Sequence, residues 1–558
     1  MTPAEAVAHL VDTDPRFEGT ETEIRGVQYR VFRNAPPHLR ALLQEAADVY
    51  GDGDALVYQD ERWTYPEFCR DVRRLAHAMA DEFGIGAGDH VALAMRNYPE
   101  LPILIMAVVS LGAVAVPLNA WWSAEELEFA LVDCGAKLVF ADRDRYERIQ
   151  PAADRRSLSL IAVRDAVGPR TYAELRDRAA DAEWPDAPID PDDDFAVLYS
   201  SGTTGQPKGA VLTHRGAISA VHSWVMGGVA ASLLEEAAPS DPPRAPSTLI
   251  ATPLFHVTAL QASFLLGLAT GAKMALLYKW DVEEAIRVIK TEEVTRFVGV
   301  PTQSADLMEK ARQKGERLET LEQIAGGGSK RPAAQVGQLA QTFPRAAVGS
   351  GWGMTETNAL GITMAGEEYV AHPDATGRPT PPLQEMRVVD PSGETVPVGE
   401  VGELIVKSPG NMRCYLNRPE DTAATLRDGW LYTEDLARLD ENGLIYIVDR
   451  IKGIIIRGGE NISCLEVEGA LHQHPDVAEV CVFPVPDERL GEVVGAAVRL
   501  YDGSTLTEAQ LIEFLGEHIA AFKIPERLWF QSEPLPRAST GKIDRRALQE
   551  QLSVENVS

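Results

Sequence analysis

The sequence predicts an α/β protein in two parts: a large N-terminal domain with parallel-type sheets sandwiched by helices, and a small, mobile α+β C-terminal domain. Three observations carry this expectation. The chain has 558 residues, too many for one ordinary hydrophobic core. Short runs rich in Val, Ile, Leu and Ala alternate with amphipathic stretches through most of the first 450 residues or so, and continuous apolar strands followed by helices imply parallel sheets covered on both faces. The texture then changes near "IVDRIKGIIIRGGENIS", residues 447–463. Beyond it lies a compact α+β unit of about one hundred residues, the size of a small domain.

The elements follow in chain order. "HVALAM" (90–95) reads as a buried strand, and "LPILIMAVVSLGAVAVP" (101–117) as a buried helix running into another strand. That stretch is slightly short for a membrane span and is interrupted by Pro102, Ser110 and Gly112. "KLVFAD" (137–142), "FAVLYS" (195–200), "TLIATP" (248–253), "KMALLY" (273–278) and "RFVGVP" (296–301) each precede a helical pattern. Two Pro/Asp-rich passages, 184–194 and 238–246, read as surface loops. Downstream, "LEVEGALHQH" (465–474) and "TEAQLIEFLGEHIAAF" (507–522) read as helices, and "AEVCVFPVP" (478–486) and "GAAVRLYD" (495–502) as strands. The boundary falls at about 449–452, giving domains 1–449 and 450–558.

Charge narrows the partners. Lys and Arg number 53 against 83 Asp and Glu, a net charge of −30. That balance opposes nucleic acid and anionic membrane as general partners, so an anionic ligand must be held by local backbone amides and a few placed cations. Cys69, Cys134, Cys414, Cys464 and Cys481 are scattered without a C-x-x-C or Cys/His cluster, which supports neither disulfides nor a zinc site. The opening "MTPAEAVAHLVDTDP" lacks the basic and apolar regions of a signal peptide. The expectation is a cytoplasmic protein with no integral membrane span, and self-association into a homodimer stays open.

The chemistry begins at "YSSGTTGQPKGAVLTH", residues 199–214. A Gly/Ser/Thr loop leaving a buried strand turns successive backbone N–H groups toward one centre, and Lys208 adds a point charge, a combination suited to polyphosphate oxygens. It is not a P-loop. Counted from Gly202, Pro207 stands where the second glycine belongs, and Gly209 follows Lys208 where Ser or Thr is required.

"YSSGTTGQPKG" is joined by "GWGMTET" (351–357), "YTEDLA" (432–437), "DRIKGIIIRGGENIS" (449–463) and "RASTGKIDR" (537–545). These five motifs, in this order across roughly residues 50 to 550, resemble those of the adenylate-forming superfamily: acyl-CoA synthetases, peptide-synthetase adenylation domains and firefly-type luciferases. The resemblance implies ATP, Mg²⁺ and coenzyme A as partners of a small-molecule carboxylate. Thr203, Thr204 and Lys208 would hold the β- and γ-phosphates, with Ser200, Ser201, Gly202 and Gly205 shaping the loop. Trp352, where relatives usually have Tyr, would stack on adenine between Gly351 and Gly353, with Gly327 nearby; Thr355 would bond the α-phosphate and Glu356 would ligate Mg²⁺. Asp435 and Arg450 would contact the ribose. Lys542 would stabilise charge during adenylation and leave again with the mobile domain, pivoting at Lys452, where Gly453 stands in place of a common acidic residue. Gly458, Gly459, Glu460 and Asn461 would line the pantetheine tunnel.

The same resemblance places the acyl pocket at Phe255, His256, Val300, Gly326, Gly327, Gly328 and Gly353. Amino-acid-activating relatives commonly carry Asp where His256 stands, which argues for a medium- or long-chain fatty acid or a bulky aryl or cyclic acid, the glycines leaving room. Lys330 is expected to reach solvent and Cys414 to pack. The leading expectation is an acyl-CoA ligase working through acyl-AMP. Loading of a separate carrier protein and a catalytically silent nucleotide-binding regulator are the alternatives, and luciferase-like oxygenation has nothing in the sequence asking for it.

Overall fold

The computed structural model describes residues 1–179, 183–200, 207–234, 244–457, 460–487, 489–538 and 541–554. Two large sheets organise the N-terminal part. The first has seven strands in the order Cys414–Tyr415, Lys208–Thr213, Asp194–Ser200, Val114–Pro117, His90–Ala94, Leu138–Asp142 and Ser159–Val163. Its last five strands are parallel, while Lys208–Thr213 runs antiparallel to both its neighbours. The second sheet has nine strands, parallel through Asp54–Tyr58, Lys273–Leu276, Ser247–Ile250, Arg296–Gly299, Gln323–Gly326 and Ala347–Trp352, with antiparallel strands at both edges.

The expected apolar strands all form, and burial explains their composition. Every residue of Leu138–Asp142 and of Val114–Pro117 is buried, so neither strand shows polar alternation. The apolar stretch near residue 101 becomes the helix Glu100–Val109, buried at all ten positions. One described helix, His214–Leu234, is long and apolar enough to cross a membrane. Here its Ala217, Ile218 and Val221 join the main core, and its Met226 and Ala230 pack with Ala6 and Leu10 of the first helix, Pro3–Thr13.

Sequence reading anticipated parallel sheets alone, and a third, antiparallel sheet adds to them. It comprises Glu385–Val389, Val401–Lys407, Trp430–Leu439, Leu426–Arg427 and Ile445–Arg450. One face is solvated, so buried residues alternate with accessible ones along Trp430–Leu439, and no continuous apolar run announces it. The passage 184–194 is tied down by Arg40, whose guanidinium donates to the carbonyls of Pro185 and Ala187.

The smaller C-terminal domain is built on a fourth sheet, Glu460–Ser463, Ile454–Arg457, Gly491–Leu500 and Val477–Asp487, with Arg527–Gln531 added parallel to Gly491–Leu500. The helices Cys464–Leu471 and Glu508–Gly516 cover it, burying Val467, Leu471, Leu511 and Leu515 in a core of its own.

Candidate active site

The strands Asp194–Ser200 and Lys208–Thr213 face each other with Ser200 opposite Lys208, bringing both ends of the glycine-rich loop together. Ser201, Gly202, Thr203, Thr204 and Gly205 lie outside the described residues. A Cβ at Gly209 would stand 2.6 Å from Val197 Cγ1, so the Ser or Thr of a P-loop has no room there. The Lys208 ammonium donates to Asp421 Oδ1 at 2.7 Å and lies 5.5 Å from the centre of the Tyr415 ring.

Tyr415 links this lysine to the second motif. Its hydroxyl donates to Glu356 Oε1 at 2.7 Å, and Glu356 is buried. Burial, reinforced by the adjacent Glu356 carboxylate, pushes the phenol far above its ordinary range and keeps it a donor. Thr355 and Glu356 do not open an α-helix. They form the 3₁₀ turn Thr355–Thr357, whose entry is tied by Met354 N donating to Thr357 Oγ1 at 3.1 Å and whose exit is Asn358 in the left-handed region.

Trp352 ends its strand with the indole N–H donating to Asp435 Oδ2 at 2.7 Å, while Arg450 Nε donates to Asp435 Oδ1 at 3.0 Å. Asp435 and Arg450 are direct cross-strand neighbours of the third sheet. Burial raises the Asp435 carboxyl above its ordinary value, with Arg450 and then Trp352 opposing the rise. Each Asp435 oxygen accepts one of these bonds and keeps further lone-pair capacity, which suits vicinal hydroxyls.

Lys542 arrives from the C-terminal part. A Cβ at Gly328 would lie 3.0 Å from Lys542 Cε and 3.3 Å from its Nζ, so the glycine is what admits this side chain. Gly541 is anchored by Thr302 Oγ1, which donates to its carbonyl at 3.1 Å, and its own Cβ position faces Val300 at 3.3 Å. Burial pushes the Lys542 ammonium down to about 8; Arg450 adds to the shift and Asp435 opposes it. His256 caps the start of the helix Val257–Ala259, with its ring 4.5 Å from that of Phe255. Burial, with a contribution from Lys542, pushes His256 down to about 3, so the ring is neutral. Trp121 meets Phe255 edge-on at 5.6 Å and carries the Arg96 guanidinium on its face at 3.8 Å.

The glycines expected to open the acyl pocket divide into two kinds. The nearest neighbours of a Cβ at Gly327 or Gly328 are the Gly351 carbonyl, Lys542 and Val300. Beside Gly326 the space is filled, since a Cβ would fall 2.3 Å from Arg331 Nη2, and at Gly353 it would fall 2.4 Å from the Ala359 carbonyl oxygen. Backbone packing, not open room, requires glycine at Gly353, whereas at Gly326 the end of the Arg331 side chain occupies the space and would have to shift for a larger residue. Lys330 is exposed and reaches the Ile447 carbonyl at 3.5 Å, and Cys414 is half-buried in an edge strand.

Near the expected pivot, Lys452 lies in the 3₁₀ turn Ile451–Gly453. Asp449 accepts bonds from Arg450 N, Ser463 Oγ and Leu465 N, and a Cβ on Gly453 would stand 2.4 Å from its Oδ1. Glu460 and Asn461 open the strand Glu460–Ser463 opposite Arg457 and Ile456, and Gly458 and Gly459 lie outside the described residues.

Sequence reading missed Tyr415, Asp421, Thr302 and Arg331. Tyr415 and Asp421 sit in "CYLNRPED", a short polar stretch whose contacts are made with distant parts of the chain, so no local period marks them. For a metal, no cluster of three or more His, Cys, Asp or Glu exists among the described residues. A single buried carboxylate such as Glu356 fits Mg²⁺, which takes few protein ligands when phosphate oxygens and water complete its octahedron.

This layout, with Lys208 and Glu356 joined through Tyr415, Trp352 and Arg450 bonded to Asp435, and a lysine supplied by a small trailing domain, fits a nucleotide-dependent enzyme of two parts. Matches to the AMP-binding enzyme family over residues 43–416 and to the AMP-binding enzyme C-terminal domain over residues 466–542 show which one. The chain belongs to the acyl-CoA synthetases of the adenylate-forming superfamily and is an AMP-forming acid–thiol ligase, using ATP and coenzyme A. It is 36% identical to a feruloyl-CoA synthase from Amycolatopsis sp over 482 residues, 86% of this chain and 92% of that one. It is 32% identical to a long-chain-fatty-acid–CoA ligase from Mycobacterium tuberculosis over 524 residues, 93% and 96% of the two chains. Among solved structures, ATP-bound MatB from Rhodopseudomonas palustris superposes with a TM-score of 0.82 at 28% identity, covering 92% of this chain and 99% of that one.

Proposed function

We propose that the chain activates an apolar carboxylic acid, a medium- or long-chain fatty acid or a bulky aryl or cyclic acid, and that Lys542, Glu356, Lys208, Asp435 and His256 divide the work as the motifs suggest. The observation that carries the reading is the convergence at Gly328: Lys542 enters beside Val300 and within electrostatic reach of Asp435, Arg450 and His256.

A carboxylate is a poor acyl donor because its leaving group would be oxide. In the first half-reaction a carboxylate oxygen bonds to the α-phosphorus of ATP and pyrophosphate leaves; in the second, the thiol sulfur of coenzyme A bonds to the acyl carbon and AMP leaves. Lys542 neutralises the two anions that must approach each other, which is worth most in a site that excludes water. Asp435 and Arg450 orient the ribose, Trp352 offers an aromatic face to the adenine, and Thr355 stands at the α-phosphate. Lys208 and the loop before it take the β- and γ-phosphates. When bound, Mg²⁺ supplies charge neutralisation at the phosphate oxygens, and Glu356, oriented by Tyr415, is its protein ligand.

The acyl preference rests on His256. A neutral ring offers no anion to an α-ammonium group, and the Phe255 and Trp121 rings extend an apolar wall from it. Relatives named for feruloyl and for long-chain fatty substrates support the same class. The small domain then withdraws Lys542 about Lys452 and presents Glu460 and Asn461 to the thiol's approach.

Pyrophosphate release across a carboxylate panel, with and without coenzyme A, tests the acyl class. Turnover with fatty or aryl acids and none with amino acids is expected, and a preference for amino acids overturns it. Lys542→Ala is expected to lose acyl-AMP formation while still thioesterifying supplied acyl-AMP; equal loss of both half-reactions refutes the assignment of Lys542.

A further inference from the structure

Both groups read as facing the triphosphate, Lys208 and Glu356, are held by one short segment. Residues 413–416 run along the strand Lys208–Thr213, with Arg413 N donating to the Val211 carbonyl and Leu416 N to the Gly209 carbonyl, both at 2.8 Å. The chain then turns at Asn417, whose amide donates to the Asp133 carbonyl at 2.7 Å, and at Arg418, which pairs with the Asp133 carboxylate at 3.2 Å. Thr422 closes the turn: its hydroxyl donates to the Arg418 carbonyl at 2.8 Å and accepts from Tyr415 N at 2.9 Å. Asp421, in the first turn of the helix Pro419–Thr425, is thereby held 2.7 Å from the Lys208 ammonium. The carboxylate is 38% exposed and the lysine side chain 20%, so the pair sits where solvent and a ligand reach it.

A carboxylate in that position has a consequence for a polyanion. The ammonium has three donors, but an arriving phosphate must approach it next to a fixed negative charge. We propose that Asp421 is the exchangeable counter-ion of Lys208, holding the ammonium in place between turnovers and weakening the grip on triphosphate and pyrophosphate, so that pyrophosphate departs. This rests on the reading of Lys208 as a β,γ-phosphate ligand. Asp421 is a positioning residue: it acts through Lys208 and takes no part in bond making. Tyr415 supports the same arrangement from the other side by orienting Glu356.

The test is equilibrium binding of ATP, pyrophosphate and AMP to the full chain in magnesium-containing buffer, with the rate of pyrophosphate release measured alongside. Removing one partner of an exposed ion pair moves binding modestly, so Asp421→Asn is expected to tighten ATP and pyrophosphate about two- to fivefold. Pyrophosphate release should slow, AMP, which lacks the β- and γ-phosphates, should bind as before, and Asp421→Glu should behave as the parent. Unchanged or weaker ATP and pyrophosphate binding in Asp421→Asn overturns the proposal, as does a parallel change in AMP. Lys208→Ala separates the two readings. Loss of ATP and pyrophosphate affinity with AMP unaffected keeps Lys208 as the phosphate ligand even if the Asp421 proposal fails. Unchanged affinity for all three refutes that underlying assignment whatever Asp421→Asn does.

Discussion

Lys542 is held down to about 8 by burial and by Arg450, so it carries its charge below that pH and loses it above. The sign of the effect on rate follows. If the ammonium must be charged for adenylation, kcat/KM of that half-reaction is flat below about pH 8 and falls about tenfold per unit above it, because kcat/KM reports the free enzyme. Thioesterification of supplied acyl-AMP should lack this limb. Pyrophosphate release followed from pH 6 to pH 10 checks both, and a limb shared by the two half-reactions contradicts the role. Trp352 combines two properties in one side chain: it has an aromatic face, and its indole N–H donates to Asp435 Oδ2.

At the scale of elements, the turn after the strand Ala347–Trp352 depends on backbone contact at Gly353. Asn358 and Ala359 take left-handed φ values of 52° and 59°, and Ala359 N donates to the Met354 carbonyl at 2.9 Å, folding the turn tightly under the strand end. A Cβ at Gly353 would meet the Ala359 carbonyl oxygen at 2.4 Å. Gly353→Ala is therefore expected to destabilise the protein by about 1–3 kcal/mol, as overpacking does. It should also displace Thr355 and Glu356, reducing adenylation far more than Gly327→Ala, where the nearest atom is 3.5 Å away. Denaturant unfolding together with pyrophosphate release measures both effects, and equal behaviour of the two variants refutes the account.

For the whole molecule, the decisive contact is the junction of the two parts. Asp449, next to last in the strand Ile445–Arg450, accepts from Ser463 Oγ at 2.8 Å and Leu465 N at 3.1 Å, at the start of the helix Cys464–Leu471. Gly453 leaves the space its carboxylate needs. These bonds span the proposed pivot at Lys452 and are present in the arrangement in which Lys542 reaches Gly328. Asp449→Ala is expected to lower the adenylation rate by about tenfold, the effect of roughly 1.4 kcal/mol, while sparing thioesterification. Parallel assay of the half-reactions decides; equal losses mean that Asp449 supports only folding.

Much of the architecture was legible because fully buried strands such as Leu138–Asp142 must be continuous apolar runs, and the five motifs needed only local order to be recognised. The third sheet was not legible, since a half-solvated strand such as Trp430–Leu439 interleaves charges with its buried residues. Within the site, residue types were readable but partners were not. Glu356 meets Tyr415 across 59 positions and Lys208 meets Asp421 across 213. The sequence by itself determined the fold class, the family and with it the acid–thiol ligase class, because strand burial and motif spacing are local properties. Only the tertiary structure decided which cation faces which carboxylate, that Gly326 and Gly353 are filled against and not open, and where Lys542 enters. Those outcomes depend on contacts between segments far apart in the chain, which no window of sequence contains.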